Sequence, residues 1–132
     1  MASIKSYNYK WKQYKHHGEE TIDGYTFTRI PPVSINGRWN MKIIKLTETI
    51  PWHTDWNTKC AINYLLNDDL ESAGHIEMGE KAEKFQYRMA LIDTTKRHRA
   101  VVYNKPRKIL KISIFDESYE EVCKKLDSLF MS

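Results

Sequence analysis

The sequence predicts a mainly β domain carrying a single C-terminal α-helix. Short segments in which apolar and polar residues alternate recur along the chain, and Gly, Pro and Asn punctuate them. Only one stretch, near the end, repeats its apolar residues at the helical period. Many short strands joined by turns imply a sandwich or a barrel.

Taken in order, Tyr7, Tyr9 and Trp11 alternate with Asn8 and Lys10, which predicts a first strand with one aromatic face, ended at His16-His17-Gly18. Tyr25 to Ile30 alternates again until Pro31-Pro32, and Asn36-Gly37 is a turn signal. Trp39 to Ile50 reads as a strand, interrupted by Pro51. A proline cannot donate to a sheet, so it suits a strand end or a bulge. Cys60 to Leu66 is short and apolar, a buried strand that Asn67-Asp68-Asp69 ends. Gly74 to Met78 reads as a short strand, Gly79 to Lys84 as a polar loop and Phe85 to Asp93 as another strand. Ala100 to Tyr103 is extended, Asn104-Lys105-Pro106 turns, and Arg107 to Phe115 alternates once more. Ser118, with Glu121 three residues on, forms a capping box, and Val122, Leu126 and Leu129 make an apolar stripe. This helix, over 118–130, is expected to lie on the outside of a sheet.

At 132 residues the chain is expected to form one domain, with a basic arm over 1–17 and a core over 38–115. That arm holds Lys5, Lys10, Lys12 and Lys15 and no acid, which accounts for the whole net charge of +4. A solubilising arm is the reading this supports, and a generally nucleic-acid-binding body is not. No apolar run reaches the roughly 18 residues of a membrane span, and Met1-Ala2-Ser3-Ile4-Lys5 lacks the apolar region of a secretory signal. Cytoplasmic residence is therefore expected, with Cys60 and Cys123 reduced. No G-x-S-x-G, P-loop or C-x-x-C occurs.

The chemistry-bearing stretch is Trp52-His53-Thr54-Asp55-Trp56, read together with His98. In an extended segment His53 and Asp55 share a face and can grip one ion. With His98 they supply two imidazoles and one carboxylate, the ligand set of non-haem Fe(II) sites, which leaves three positions open. Trp52 and Trp56 flank the ligands and either line a mouth or fill core. His75, in a turn-rich segment, and His16 and His17 are expected at the surface, and Cys60 serves as a small apolar filler.

Four pieces, Ile50 to Asp55, Cys60 to Leu66, Leu91 to Thr94 before His98, and Arg107 to Ile114, resemble the 2-oxoglutarate and Fe(II)-dependent oxygenases, particularly the short prolyl-hydroxylase-like and aspartyl/asparaginyl-hydroxylase-like members. The resemblance implies a double-stranded β-helix, a cupin-like jelly-roll barrel with iron at its mouth. It implies His53, Asp55 and His98 as iron ligands and Arg107 as the anchor of the cosubstrate's distal carboxylate, with Lys108, of opposite facing, as the alternative. Ser113 could assist Arg107, Tyr64 or Asn63 could bond the cosubstrate, and Trp52, Trp56 and Arg99 would border the substrate mouth. The implied cofactors are Fe(II), 2-oxoglutarate and O2. The implied reaction hydroxylates a C–H bond of a peptide or small molecule and releases succinate and carbon dioxide. The family's usual apolar residues near the distal histidine are replaced here by Lys96, Arg97 and Arg99, a cationic rim suited to an anionic cosubstrate and an acidic or phosphorylated substrate. Two other readings stand beside this one: a zinc-dependent hydrolase using the same triad, and a non-catalytic barrel whose arm and Lys96 to Arg99 hold an acidic partner such as nucleic acid.

Overall fold

The computed structural model describes residues 3–8, 19–22, 25–28 and 31–130. Tyr9, Trp11, His16, His17 and the arm lysines at 10, 12 and 15 lie outside them. The strands are β1 (Ile4–Tyr7), β2 (Glu19–Ile22), β3 (Tyr25–Thr28), β4 (Trp39–Leu46), β5 (Ile50–His53), β6 (Cys60–Leu65), β7 (His75–Met78), β8 (Glu83–Phe85), β9 (Met89–Ile92), β10 (His98–Val101) and β11 (Arg107–Ile114), followed by helix α1 (Tyr119–Phe130). A mainly β chain with one C-terminal helix is thus the observed class.

Two expected strands are divided. Trp39 to Ile50 is not continuous: β4 ends at Leu46, and β5 joins a different sheet. Phe85 to Asp93 splits between β8 and β9, and the polar loop over 79–84 gives up Glu83 and Lys84 to β8. Side-chain alternation cannot register a strand that crosses from one sheet to another, because the period of two continues on both sides of the break.

The larger sheet has the order β1-β9-β6-β11-β4 and the smaller β5-β10-β7-β8, while β2 and β3 form a separate hairpin. All strand pairings among the described residues are antiparallel. From β4 onward the chain pairs from the outside in: β4 with β11, β5 with β10, β6 with β9 and β7 with β8. Two further pairings, β6 with β11 and β7 with β10, roll this nested ribbon into two facing sheets.

The larger sheet is covered on both faces. One face carries Tyr64, Leu110, Ile112 and Leu91 and packs against Tyr119, Val122 and Leu126 of α1. Each fully buried aliphatic side chain there contributes roughly 1.5–3 kcal/mol. The reciprocal bonds from Glu121 N–H to Ser118 Oγ, at 3.1 Å, and from Ser118 N–H to Glu121 Oε1, at 3.2 Å, complete the expected capping box. The other face carries Ile4, Ala90 and Ile92 and meets Ile76, Met78 and Ala100 of the smaller sheet. Gly74, entering β7, has φ of +93°, and a Cβ there would sit 1.9 Å from the Val101 carbonyl oxygen, so β10 closes against bare backbone.

Candidate metal centre

The site lies between the two sheets, where β5 and β10 run side by side. His53 and His98 are direct cross-strand partners. Between this pair and the next, Ile50 opposite Ala100, β5 has two residues, Pro51 and Trp52, against one on β10. Pro51 therefore sits in a bulge on an edge strand, where its missing N–H costs no ladder bond. Strand β5 ends at His53, so Asp55 falls just beyond it rather than within it. Its N–H bonds the Thr94 carbonyl at 2.9 Å, which ties the ligand loop to the turn before β10.

Each of His53, Asp55 and His98 offers a ligand atom, and these atoms all lie within 4.8 Å of one another. The two imidazole rings are 4.4 Å apart. Both are oriented in the same way: Nδ1 of His53 donates to the Pro51 carbonyl at 2.7 Å, and Nδ1 of His98 to the Lys96 carbonyl at 2.7 Å. A carbonyl only accepts, so each Nδ1 carries the proton and each Nε2 keeps its lone pair for a metal. Burial pushes the His98 imidazole below its ordinary value of 6.5, and nearby His53 acts in the same direction. The neutral, ligating form is thereby favoured. Asp55 presents Oδ1 toward His53, 3.5 Å from Nε2, while Oδ2 faces Lys111 Nζ at 3.4 Å.

Behind the triad is a cavity of about 120 Å³, lined by apolar residues such as Ile44, Leu46 and Ile76 and by the polar groups of Asn63, Thr94, Arg107 and Lys111. Arg107 is 1% exposed. One of its nitrogens makes a long 3.4 Å bond to the Ala73 carbonyl, and the guanidinium lies 5.4 Å from the Tyr87 ring. Its Nε and other terminal nitrogen have no hydrogen-bond partner among the described residues, nor does Asn63 Oδ1, whose amide nitrogen donates to the Tyr87 hydroxyl at 3.3 Å. Buried cations ordinarily carry a carboxylate. This one has an open cavity in front of it.

The remaining sequence-predicted residues are sorted by strand facing. Tyr64 lies on the opposite face of the larger sheet, in the core under α1, and not in the cavity. Ser113 shares Arg107's face but lies six residues further along β11, roughly 20 Å away, so it cannot assist at the same end of a small ligand. Lys108 is exposed, its N–H bonded to Asn67 Oδ1 at 2.8 Å. Trp52 faces away from the cavity, its ring 5.2 Å from the Arg99 guanidinium, and Arg99 is held by Glu77 at 2.8 Å. Trp56 is 92% exposed. His75 is not at the surface: it is buried, with Nε2 2.7 Å from Glu77 Oε2 and Nδ1 2.6 Å from the Tyr103 hydroxyl. The pair His75-x-Glu77 has the same two-residue spacing as His53-x-Asp55, a signal available in the sequence. Lys111 shares a face of β11 with Arg107, four residues on, but its residue type gives no sign of the cavity.

No described helix is long and apolar enough to cross a membrane. No family model, curated protein or solved structure matches the chain.

Proposed function

We propose that the chain is an Fe(II)- and 2-oxoglutarate-dependent oxygenase that hydroxylates a substrate C–H bond and releases succinate and carbon dioxide. The observation that carries this reading is one cavity lined both by the two histidines of a His-Asp-His cluster and by a buried guanidinium with no anion of its own. The nested strand pairing from β4 to β11 supports a double-stranded β-helix as the architecture, with His53 and His98 on its second and seventh strands and Asp55 just after the second.

The donor set fits the ion: His53 Nε2, His98 Nε2 and Asp55 Oδ1 would hold Fe(II) from one side and leave three adjacent positions open. Lys111 would keep Asp55 to ligation through a single oxygen by retaining Oδ2. Arg107 would take the distal carboxylate of 2-oxoglutarate with its two unpartnered nitrogens, a planar fork matched to a planar anion. Ile44, Ile50, Ile76, Ile92 and Ile109 line the walls between the two ends. Bound iron, with the cosubstrate and O2, supplies the oxidation: one oxygen atom enters the substrate as hydroxyl, and the other enters succinate as carbon dioxide departs.

The test is an anaerobic absorption titration with Fe(II) and 2-oxoglutarate, followed by succinate detection in air. Wild type should show a visible charge-transfer band and form succinate, whereas Asp55→Ala should remain folded and do neither. Succinate formation undiminished in Asp55→Ala, or retention of zinc with no band, refutes the assignment.

A further inference from the structure

We infer that the substrate of this site is a single-stranded nucleic acid laid across the mouth of the cavity. The inference rests on the oxygenase reading and extends it to a substrate class.

Size comes first. A cavity of about 120 Å³ has the volume of roughly four water molecules and falls well below the ~300 Å³ at which ordinary small-molecule sites begin. Its polar groups belong to the ligand triad and to the anchoring of one small anion. The reacting group must therefore enter from outside while the rest of its molecule stays on the surface. The opening is at the ligand loop, because the His53 side chain is 37% and the Asp55 side chain 20% exposed, whereas His98 is buried.

The chemistry of that rim follows from its two bordering segments, held together by the His53–His98 register and the Asp55–Thr94 bond. Trp56, directly after one ligand, offers an almost wholly exposed indole. Lys96 and Arg97, directly before another, are exposed, and neither has an ion pair among the described residues. Among the described residues neither Glu80, next to the Gly79 N–H that bonds the Arg97 carbonyl, nor Glu83, at the start of β8, pairs with them. Arg99 differs, since Glu77 neutralises it. The Arg97 guanidinium lies 5.4 Å from the Trp52 ring, over the outer face of β5 next to His53. A flat aromatic surface beside unpaired cations takes a base by stacking and the adjoining phosphates by charge. An acidic peptide would satisfy the cations and leave Trp56 without a planar partner. A duplex would keep its bases stacked and out of reach of His53, Asp55 and His98.

The experiment is fluorescence anisotropy of a labelled, roughly 15-nucleotide single strand with the full chain, first in chelator without metal, then as an additive in the succinate assay. Salt-weakened binding is expected, reduced about tenfold or more by Trp56→Ala, the loss of one base stack. Arg97→Ala should lower the slope of log K against log salt by about one. With iron and 2-oxoglutarate present, the strand should raise succinate formation above the level without it. Absence of binding, tighter binding of a glutamate-rich peptide, or binding that ignores both variants and follows substitution of Lys10, Lys12 and Lys15 each overturns the proposal. Binding without any increase in succinate also overturns it. Because binding is read without metal and basal succinate without the strand, failure here is distinguishable from failure of the oxygenase reading.

Discussion

Replacing Arg107 by methionine should make the empty protein more stable and the liganded protein less so. The guanidinium is 1% exposed, has one long bond, and leaves two nitrogens without partners. Holding a cation in that state costs several kcal/mol, of which the contact with Tyr87 returns about 1–2 kcal/mol. Methionine keeps most of the length and removes the charge, so Arg107→Met should gain about 1–3 kcal/mol without ligand. For a chain of this size that is a rise in Tm of roughly 3–10 °C. Ligand reverses the order: at one hundred times its Kd, 2-oxoglutarate adds about 2.7 kcal/mol to wild type and nothing to a variant that cannot bind it. The assay is thermal or urea denaturation of both proteins, with and without Fe(II) and 2-oxoglutarate under anaerobic conditions. Empty Arg107→Met that is less stable than wild type by more than about 1 kcal/mol, or that keeps the ligand-induced shift, refutes this role of the guanidinium.

Two further outcomes follow from groups outside the cavity. Hydrogen bonds from His75 and then Arg99 hold the Glu77 carboxyl below its ordinary 4.5, so its stabilising contribution is complete above that value and is lost as pH falls through the lowered one. Glu77→Gln should therefore be the less stable protein near neutrality, with the gap closing in acid; urea midpoints that stay equally separated down to about pH 3 would contradict this. Burial pushes the Cys60 thiol up to about 12, whereas Cys123 is only half-buried. A thiol reagent near pH 8 should label Cys123 promptly and Cys60 only at the rate of unfolding, so two fast thiols in native protein would count against the buried placement.

The grouping of His53 and Asp55 was legible from their two-residue spacing, although Asp55 lies just beyond the strand that the spacing implied, and Pro51 because it cannot donate to a ladder. The capping box at Ser118 was legible for a local reason too: both of its bonds lie within three residues. What escaped was decided by partners distant in sequence. Strand β6 is buried on both faces, so its composition cannot say whether Asn63 or Tyr64 meets the cavity; the helix laid over one face decides it. Lys111 has the residue type of a solvent-facing position, and only the smaller sheet across from it makes it part of the site. His75 is interior because Glu77 and Tyr103 satisfy both ring nitrogens, a pairing that depends on where the chain returns after β10.

The outside-in pairing of strands has a consequence for how the protein comes into being. Strand β4 waits for β11 and β5 for β10, so the innermost pair, β7 with β8, is the one that can form as soon as it is made. Strands β5 and β10, which carry His53 and His98, must close about a third of the chain into a loop before they meet, and long-range antiparallel closure of this kind is slow. During synthesis His53 and Asp55 leave the ribosome well before His98, and Arg107 follows last. The complete His53, Asp55 and His98 cluster therefore arises only near the end of folding, and a chain truncated before β10 has two of its three members and lacks Arg107.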